Sequence, residues 1–195
     1  MKGKNLKYVL NIAMRLTVIV AVVVAMLATV NAVTEDRIAA NNAASRNAAC
    51  GELIGGAEFE AFDISSLNID YSGITNFDRS SVAVWRGTKN GELAGWCVEI
   101  TGKGYSSDGV GLIVGISSDG SSVLGVKCVS SSETSGIGSK VVSEGYLSNF
   151  ANKASGEVSS VDAVSGATRT SRGVKDGVRA AAACIKAITE TEGAR

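Results

Sequence analysis

The chain of 195 residues balances 19 Lys and Arg against 19 Asp and Glu, and it contains neither histidine nor proline. Without histidine a Ser-His-Asp triad, a Cys-His pair, the zincin motif and any histidine-bearing metal site are excluded. Without a basic excess there is no electrostatic footprint for nucleic acid.

The chain opens with Lys2, Lys4, Lys7 and Arg15, and then an uncharged run from Leu16 to Val33. As a helix that run spans roughly 27 Å, the thickness of a bilayer's hydrocarbon core. It exceeds the apolar core of about 7–15 residues in a signal peptide, so it reads as an uncleaved transmembrane anchor rather than a leader cut near Asn31-Ala32. The positive-inside rule puts residues 1–15 in the cytoplasm and the domain that follows outside. Residues 34–50, rich in Ala and Asn, read as a helical stalk, and 51–195 as one extracytoplasmic domain large enough for its own core.

Residues 51–80 are polar and irregular. Four runs of strand character follow: Ser81–Gly87, Ala94–Thr101, Val110–Ser117 and Ser122–Ser130. Asn90-Gly91 and Asp119-Gly120 separate the outer pairs and tolerate the positive φ of tight hairpins. Two helices are expected, Ser139–Ala154 on the spacing of Val142, Tyr146 and Phe150, and Ser171–Thr189 on that of Val174, Val178, Ala181, Ile185 and Ile188. The fold class is α+β, an antiparallel sheet with packed helices behind a single anchor. The four cysteines, Cys50, Cys97, Cys128 and Cys184, form no C-x-x-C pair, which argues against zinc ribbons and ordinary iron–sulfur ligation. They read as partly buried free thiols, with a disulfide or redox thiol as the alternative at Cys50.

The stretch with chemical character is Val161-Asp162-Ala163-Val164-Ser165-Gly166-Ala167-Thr168-Arg169-Thr170-Ser171. Small residues let a ligand approach the backbone, and with Ser171 as N-cap the unpaired first-turn amides of the next helix suit a phosphate. Hydroxyls of Ser165, Thr168 and Thr170 stand beside it. On spacing alone, a capped loop and an anion site are both open readings.

The segment from Asp162 to Thr168 resembles the flavinylation motif of the FMN-binding domain family: Asp, two variable residues, Ser or Thr, Gly, Ala, Thr. The family includes the G-type subunit of the Rnf complex and the C-type subunit of the sodium-pumping NADH:quinone oxidoreductase. The resemblance implies that Thr168 is esterified to the phosphate of FMN by a flavin transferase, and that Asp162 helps present the site to that enzyme. Glu133-Thr134-Ser135-Gly136-Ile137-Gly138-Ser139-Lys140 is similar to a second family loop, with Ser135 in place of proline and Ile137 in place of leucine. It implies that Glu133, Thr134, Gly136 and Gly138 form a wall of the flavin pocket, alongside Ser165, Gly166, Ala167, Thr170 and Ser171. Trp85, Trp96, Tyr105 and Tyr146 could stack on the ring, although core packing is the expected role of each. Gly109-x-Gly111 and Gly102-Lys103 are only fragments of nucleotide-binding patterns.

One flavin and one helix cannot couple electron flow to ion movement, so partner subunits are expected, with Ala21, Ala25 and Ala28 offering a face for close helix packing. The resemblance implies an electron-transfer subunit of an Rnf-type ferredoxin:NAD oxidoreductase that pumps sodium or protons, with no complete activity of its own. The alternatives are the C-type subunit of the quinone-reducing pump, a free-standing extracellular flavoprotein carrier, and an anchored binding module without cofactor.

Overall fold

The computed structural model describes residues 2–193, and the side chains of residues 8–192. The chain divides into two compact units, residues 1–44 and 45–195. The first unit lies within helix α1 (Lys2–Leu53). From Tyr8 onward α1 holds a window of mean hydropathy 2.5 with no buried side chain, so it is long and apolar enough to cross a membrane. Thr17 and Thr29 donate their hydroxyls to the carbonyls of Ala13 and Ala25, 2.9 and 2.8 Å away, so neither leaves an unpaired O–H on an apolar surface.

The second unit is built on a six-stranded antiparallel meander in the order β1 to β6. Its strands are β1 (Glu58–Phe62), β2 (Phe77–Lys89), β3 (Glu92–Gly102), β4 (Val110–Ser117), β5 (Ser122–Ser131) and β6 (Lys153–Ala154). The four expected strands are all present. Two more join them: β1 lies in the stretch read as irregular, and β6 is only two residues long. Asn90 and Gly91 both have positive φ, as a two-residue primed turn requires. At the other hairpin only Gly120 does; there the Asp119 carboxylate accepts bonds from the amide and hydroxyl of Ser121 and shapes a wider loop.

Both faces of the central strands are covered. On one face lies α3 (Thr168–Gly193), which buries Val174, Val178, Ala181, Ile185 and Ile188 against Trp96, Val98, Ile100, Leu112, Val114 and Ile116. On the other face lie the last turns of α1, where Ala49, Cys50 and Ile54 pack on Cys97 and Ile113. That double burial is why β4 reads Val-Gly-Leu-Ile-Val-Gly-Ile with no alternation. The helix ends approach closely because glycines receive them. A Cβ on Gly115 would lie 3.0 Å from Leu53 Cβ, and one on Gly125 2.7 Å from Leu53 Cδ2. On the opposite face a Cβ on Gly177 would lie 3.2 Å from Leu112 Cδ1.

The helix expected over Ser139–Ala154 is not continuous. The segment holds a 3-10 turn at Gly138–Lys140, a one-turn helix α2 (Glu144–Leu147), a second 3-10 turn at Ser148–Phe150, and then β6. Ser143, Ser148 and Asn149 return their side chains to the carbonyls of Lys140, Gly145 and Tyr146, competing with a regular helix. The i, i+4 pair Tyr146 and Phe150 still packs edge to face at 5.7 Å inside the core.

One buried carboxylate joins the approach to β2 to α3. Asp176 accepts the backbone N–H groups of Thr75 and Asn76 (3.4 and 3.1 Å), the Asn76 side-chain amide (2.8 Å) and the Arg179 guanidinium (3.0 Å). Burial alone would raise its pKa, but the bonds from Asn76, Thr75 and Arg179 outweigh it and leave the carboxyl below its ordinary value. A folded-state pKa below the unfolded one means a contribution fully present above about pH 3.9 and lost as pH falls through the folded value. Asp176→Asn should therefore cost about 1–3 kcal/mol at neutral pH, because charge-assisted bonds are lost and buried N–H groups are left poorly paired. In urea titrations of the detergent-solubilised chain, the gap between the variant and the native protein should close on acidification; a gap constant with pH would remove the carboxylate's charge from the explanation.

Candidate functional site

Three loops meet at the opening of α3: residues 103–109 between β3 and β4, the segment after β5 around Glu133–Gly138, and residues 161–167. They enclose a cavity of about 350 Å³ lined by Tyr105, Glu133, Thr134, Ile137, Gly138, Gly166, Ala167, Arg169 and Thr170. Its volume lies at the small end of the range of ligand pockets.

Glu133 ties the first two of these loops to the first turn of α3. One of its carboxylate oxygens accepts the backbone N–H of Ser106 at 3.0 Å, and the other accepts the Thr170 hydroxyl at 2.7 Å. Its side chain fits only because Gly104 and Gly138 flank it: a Cβ at either glycine would collide with the carboxylate, and at Gly138 it would also lie 2.8 Å from Glu133 Cβ. The acidic residue and the second glycine of the Glu133–Gly138 pattern are thus a lock and its clearance. Gly136 does not line the cavity. It has φ +79° and occupies the third position of a turn closed by the Ile137 N–H donating to the Thr134 carbonyl. The family's proline falls at the second position of that turn, where proline's fixed φ is favoured.

The loop before α3 is a second turn of this kind. The Ala167 N–H donates to the Val164 carbonyl at 3.0 Å, with Gly166 at φ +81°. The first helical bond runs from the Ser171 N–H to the Ala167 carbonyl, so Ala167 and not Ser171 holds the cap position. The amides of Thr168, Arg169 and Thr170 are the ones with no intrahelical acceptor. Ser171 is fully buried; its hydroxyl accepts the Val164 N–H and donates to the Ala167 carbonyl, so it shapes the loop from below. Lys175 adds a bond to the Val161 carbonyl at 3.0 Å.

The two threonines of the motif are treated differently. Thr170 is 2% exposed and its hydroxyl is committed to Glu133. Thr168, two residues earlier and so on another side of the helix, is exposed. Ser165 is also exposed. Among the residues expected at the site, Glu133, Thr134, Gly138, Gly166, Ala167 and Thr170 are brought together around the cavity, while Thr168 and Ser165, exposed on the same loop and helix start, do not line it. Asp162 borders a separate pocket of about 450 Å³ with Tyr146, Asn149 and Lys153. Of the four aromatic candidates, Trp96 and Tyr146 are in the core, and Trp85 lies on the α1 face of the sheet. Tyr105 departs from the expectation of core packing: it is 75% exposed on the cavity wall, which also includes an Ile137 that is 53% exposed. Sequence reasoning does not single out Arg169 or Ile137 as site residues, although Ile137 sits inside the Glu133–Lys140 loop and Arg169 directly follows the Asp162–Thr168 motif.

Over 188 residues the chain is 31% identical to the G-type subunit of the Na+-translocating ferredoxin:NAD+ oxidoreductase complex of Acetobacterium woodii, covering 88% of this chain and 89% of that one. The chain belongs to the family of these G-type subunits. A second relative, the G-type subunit of the ion-translocating oxidoreductase complex of Methanosarcina acetivorans, is 27% identical, with 93% and 96% of the two chains covered. Residues 104–183, which contain every segment lining the cavity, match the FMN-binding domain family. The crystal structure of NqrC from Shewanella oneidensis shares the fold, with a TM-score of 0.50 and 22% identity over 69% of this chain and 75% of that one. In this member of the family, Gly138→Ala should lower stability by about 1–3 kcal/mol through overpacking against Glu133. Chemical denaturation would check this, and an unchanged midpoint would contradict the lock.

Proposed function

We propose that this protein is the flavin-bearing electron-transfer subunit of an ion-translocating ferredoxin:NAD oxidoreductase complex, with FMN joined through a phosphodiester to Thr168. The names of the G-type relatives support the complex, and the family match over 104–183 supports the cofactor. The observation that carries the attachment residue is the contrast between an exposed Thr168 on the first turn of α3 and a buried Thr170 already bonded to Glu133. A flavin transferase needs a hydroxyl it can reach, and Thr168 offers one without unlocking the loops.

The cavity fits such a cofactor. Tyr105, Ile137 and Ala167 supply apolar surface for a flat ring, and the turn glycines keep side chains out of its way. The free amides of Thr168, Arg169 and Thr170, with the helix dipole behind them, face a phosphate at the rim. Arg169 on the wall adds cationic charge. FMN supplies one- and two-electron redox chemistry at its ring. The chain's own part is to orient that ring, limit its contact with water and set its potential through the groups around it. Covalent attachment keeps a cofactor from being lost outside the cytoplasm. The charges preceding the apolar run support an N-terminus in the cytoplasm and a flavin domain on the other side. Asp162, at its separate pocket, is available to the transferase without entering the flavin cavity.

Coexpression with a flavin transferase, followed by a denaturing gel viewed under ultraviolet light, should show a fluorescent band. Mass spectrometry should place FMN on the peptide containing Thr168. Thr168→Ala should abolish the added mass, and Thr170→Ser should keep it. Modification at Thr170, or an unmodified native peptide, would overturn the assignment.

A further inference from the structure

The α1 face of the sheet holds a second pair of chemically active groups, which the flavin site does not use. Cys50, on α1, is 1% exposed, and Cys97, on β3, is 0% exposed; both lie in one apolar cluster with Ala49, Ile54 and Ile113. The two elements run alongside each other in matched steps. Ile54 Cδ1 would lie 2.9 Å from a Cβ on Gly95, which places the end of α1 over that point of β3. One turn back along the helix is Cys50, and two residues along the same face of the strand is Cys97. One turn further back is Arg46, and two residues further along the strand is Glu99, whose carboxyl feels the Arg46 charge. Four helix residues advance about 6.0 Å and two strand residues about 6.7 Å, so the register holds across both steps.

A disulfide needs Cα atoms within about 7 Å. A helix on a sheet is normally held further off by side chains, but here the positions beside Cys97 are glycines. Gly95 lies along its own strand and Gly115 directly opposite on β4, with Leu53 Cβ 3.0 Å from where a Gly115 Cβ would stand. Each thiol perturbs the other: Cys97 holds Cys50 below the ordinary thiol range, with a further pull from Arg46, while Cys50 and burial push Cys97 up. Arg46 is itself held in place over the Trp85 ring at 4.4 Å.

We propose that Cys50 and Cys97 are a dithiol–disulfide pair that fastens the last turns of α1 to β3. The oxidant is a disulfide of the glutathione class. Cys50, as thiolate, attacks one sulfur of oxidised glutathione and releases the first glutathione thiol. Cys97 then gives up its proton and attacks the Cys50 sulfur of the mixed disulfide, forming the protein S–S bond and releasing the second. Two protein thiols are oxidised and one glutathione disulfide is reduced to two thiols. Cys128 and Cys184 stay reduced.

The test uses the full chain in detergent, incubated with oxidised glutathione in sub-denaturing urea so that the buried pair is sampled, and then alkylated after complete unfolding. Of the four thiols present in the reduced protein, only those of Cys128 and Cys184 should remain to be alkylated. Peptide mapping should find Cys50 joined to Cys97, and the melting midpoint should rise by roughly 5 °C or more. Cys97→Ser should instead retain glutathione on Cys50. Four alkylated thiols, a different pairing, or a glutathione adduct that persists on the unsubstituted protein would each overturn the proposal. None of these readouts depends on flavin.

Discussion

The carboxylate of Glu133 is the contact on which the candidate site depends. It joins the amide of Ser106 to the hydroxyl of Thr170, and so ties the β3–β4 loop and the segment after β5 to the first turn of α3. Hydrogen bonds to an ionised group are each worth about 1.5–3 kcal/mol, more than most contacts between loops. The clearance at Gly104 and Gly138 is the steric half of the same arrangement. Without it the acidic side chain could not sit between the loops, and the helix start would have no fixed relation to Tyr105 and Ile137. By engaging the Thr170 hydroxyl, Glu133 also leaves Thr168 as the exposed threonine of the helix start.

The rest of the domain gives that contact a rigid base. α3 is amphipathic, buries one long stripe and keeps its first turn at the sheet's rim, where Gly102 and Gly173 bring the two backbones together. The same central strands support α1's last turns from behind. Between the faces, β3 and β4 have almost no solvent-exposed side, so a shift at one face is transmitted as a packing change at the other.

Much of this is legible in the residues alone. The strands between Ser81 and Ser130 have the β-branched runs and turn dipeptides that local physics rewards, and α3's stripe repeats at helical spacing over five residues. What is not legible is nonlocal. β1 has only two half-buried phenylalanines, and it becomes a strand because β2 offers it an edge. The Ser139–Ala154 stretch has helical apolar spacing, but its serines and Asn149 bond back to the chain and break it into single turns. Ser171 looks like a cap because it is a serine before an apolar stripe. The turn at Val164–Ala167 starts the helix three residues sooner and turns that serine inward. Tyr105 cannot be told from a core aromatic, since nothing local says that its loop stands at the rim of a cavity.

The two borders of the meander have their own consequence. β6 contributes only two residues, and the outer strand β1 carries Glu58 and Glu60 as exposed side chains. A strand border with free backbone donors and acceptors invites a second molecule to extend the sheet. Here the β1 border would bring like charges against each other wherever two copies met along it. At the other border β6 pairs with only Ser122 and Val123 of β5, and α2 and the turn at Ser148–Phe150 pack against that strand. Proteins confined to a membrane meet one another often, and the charged border discourages this sheet from growing.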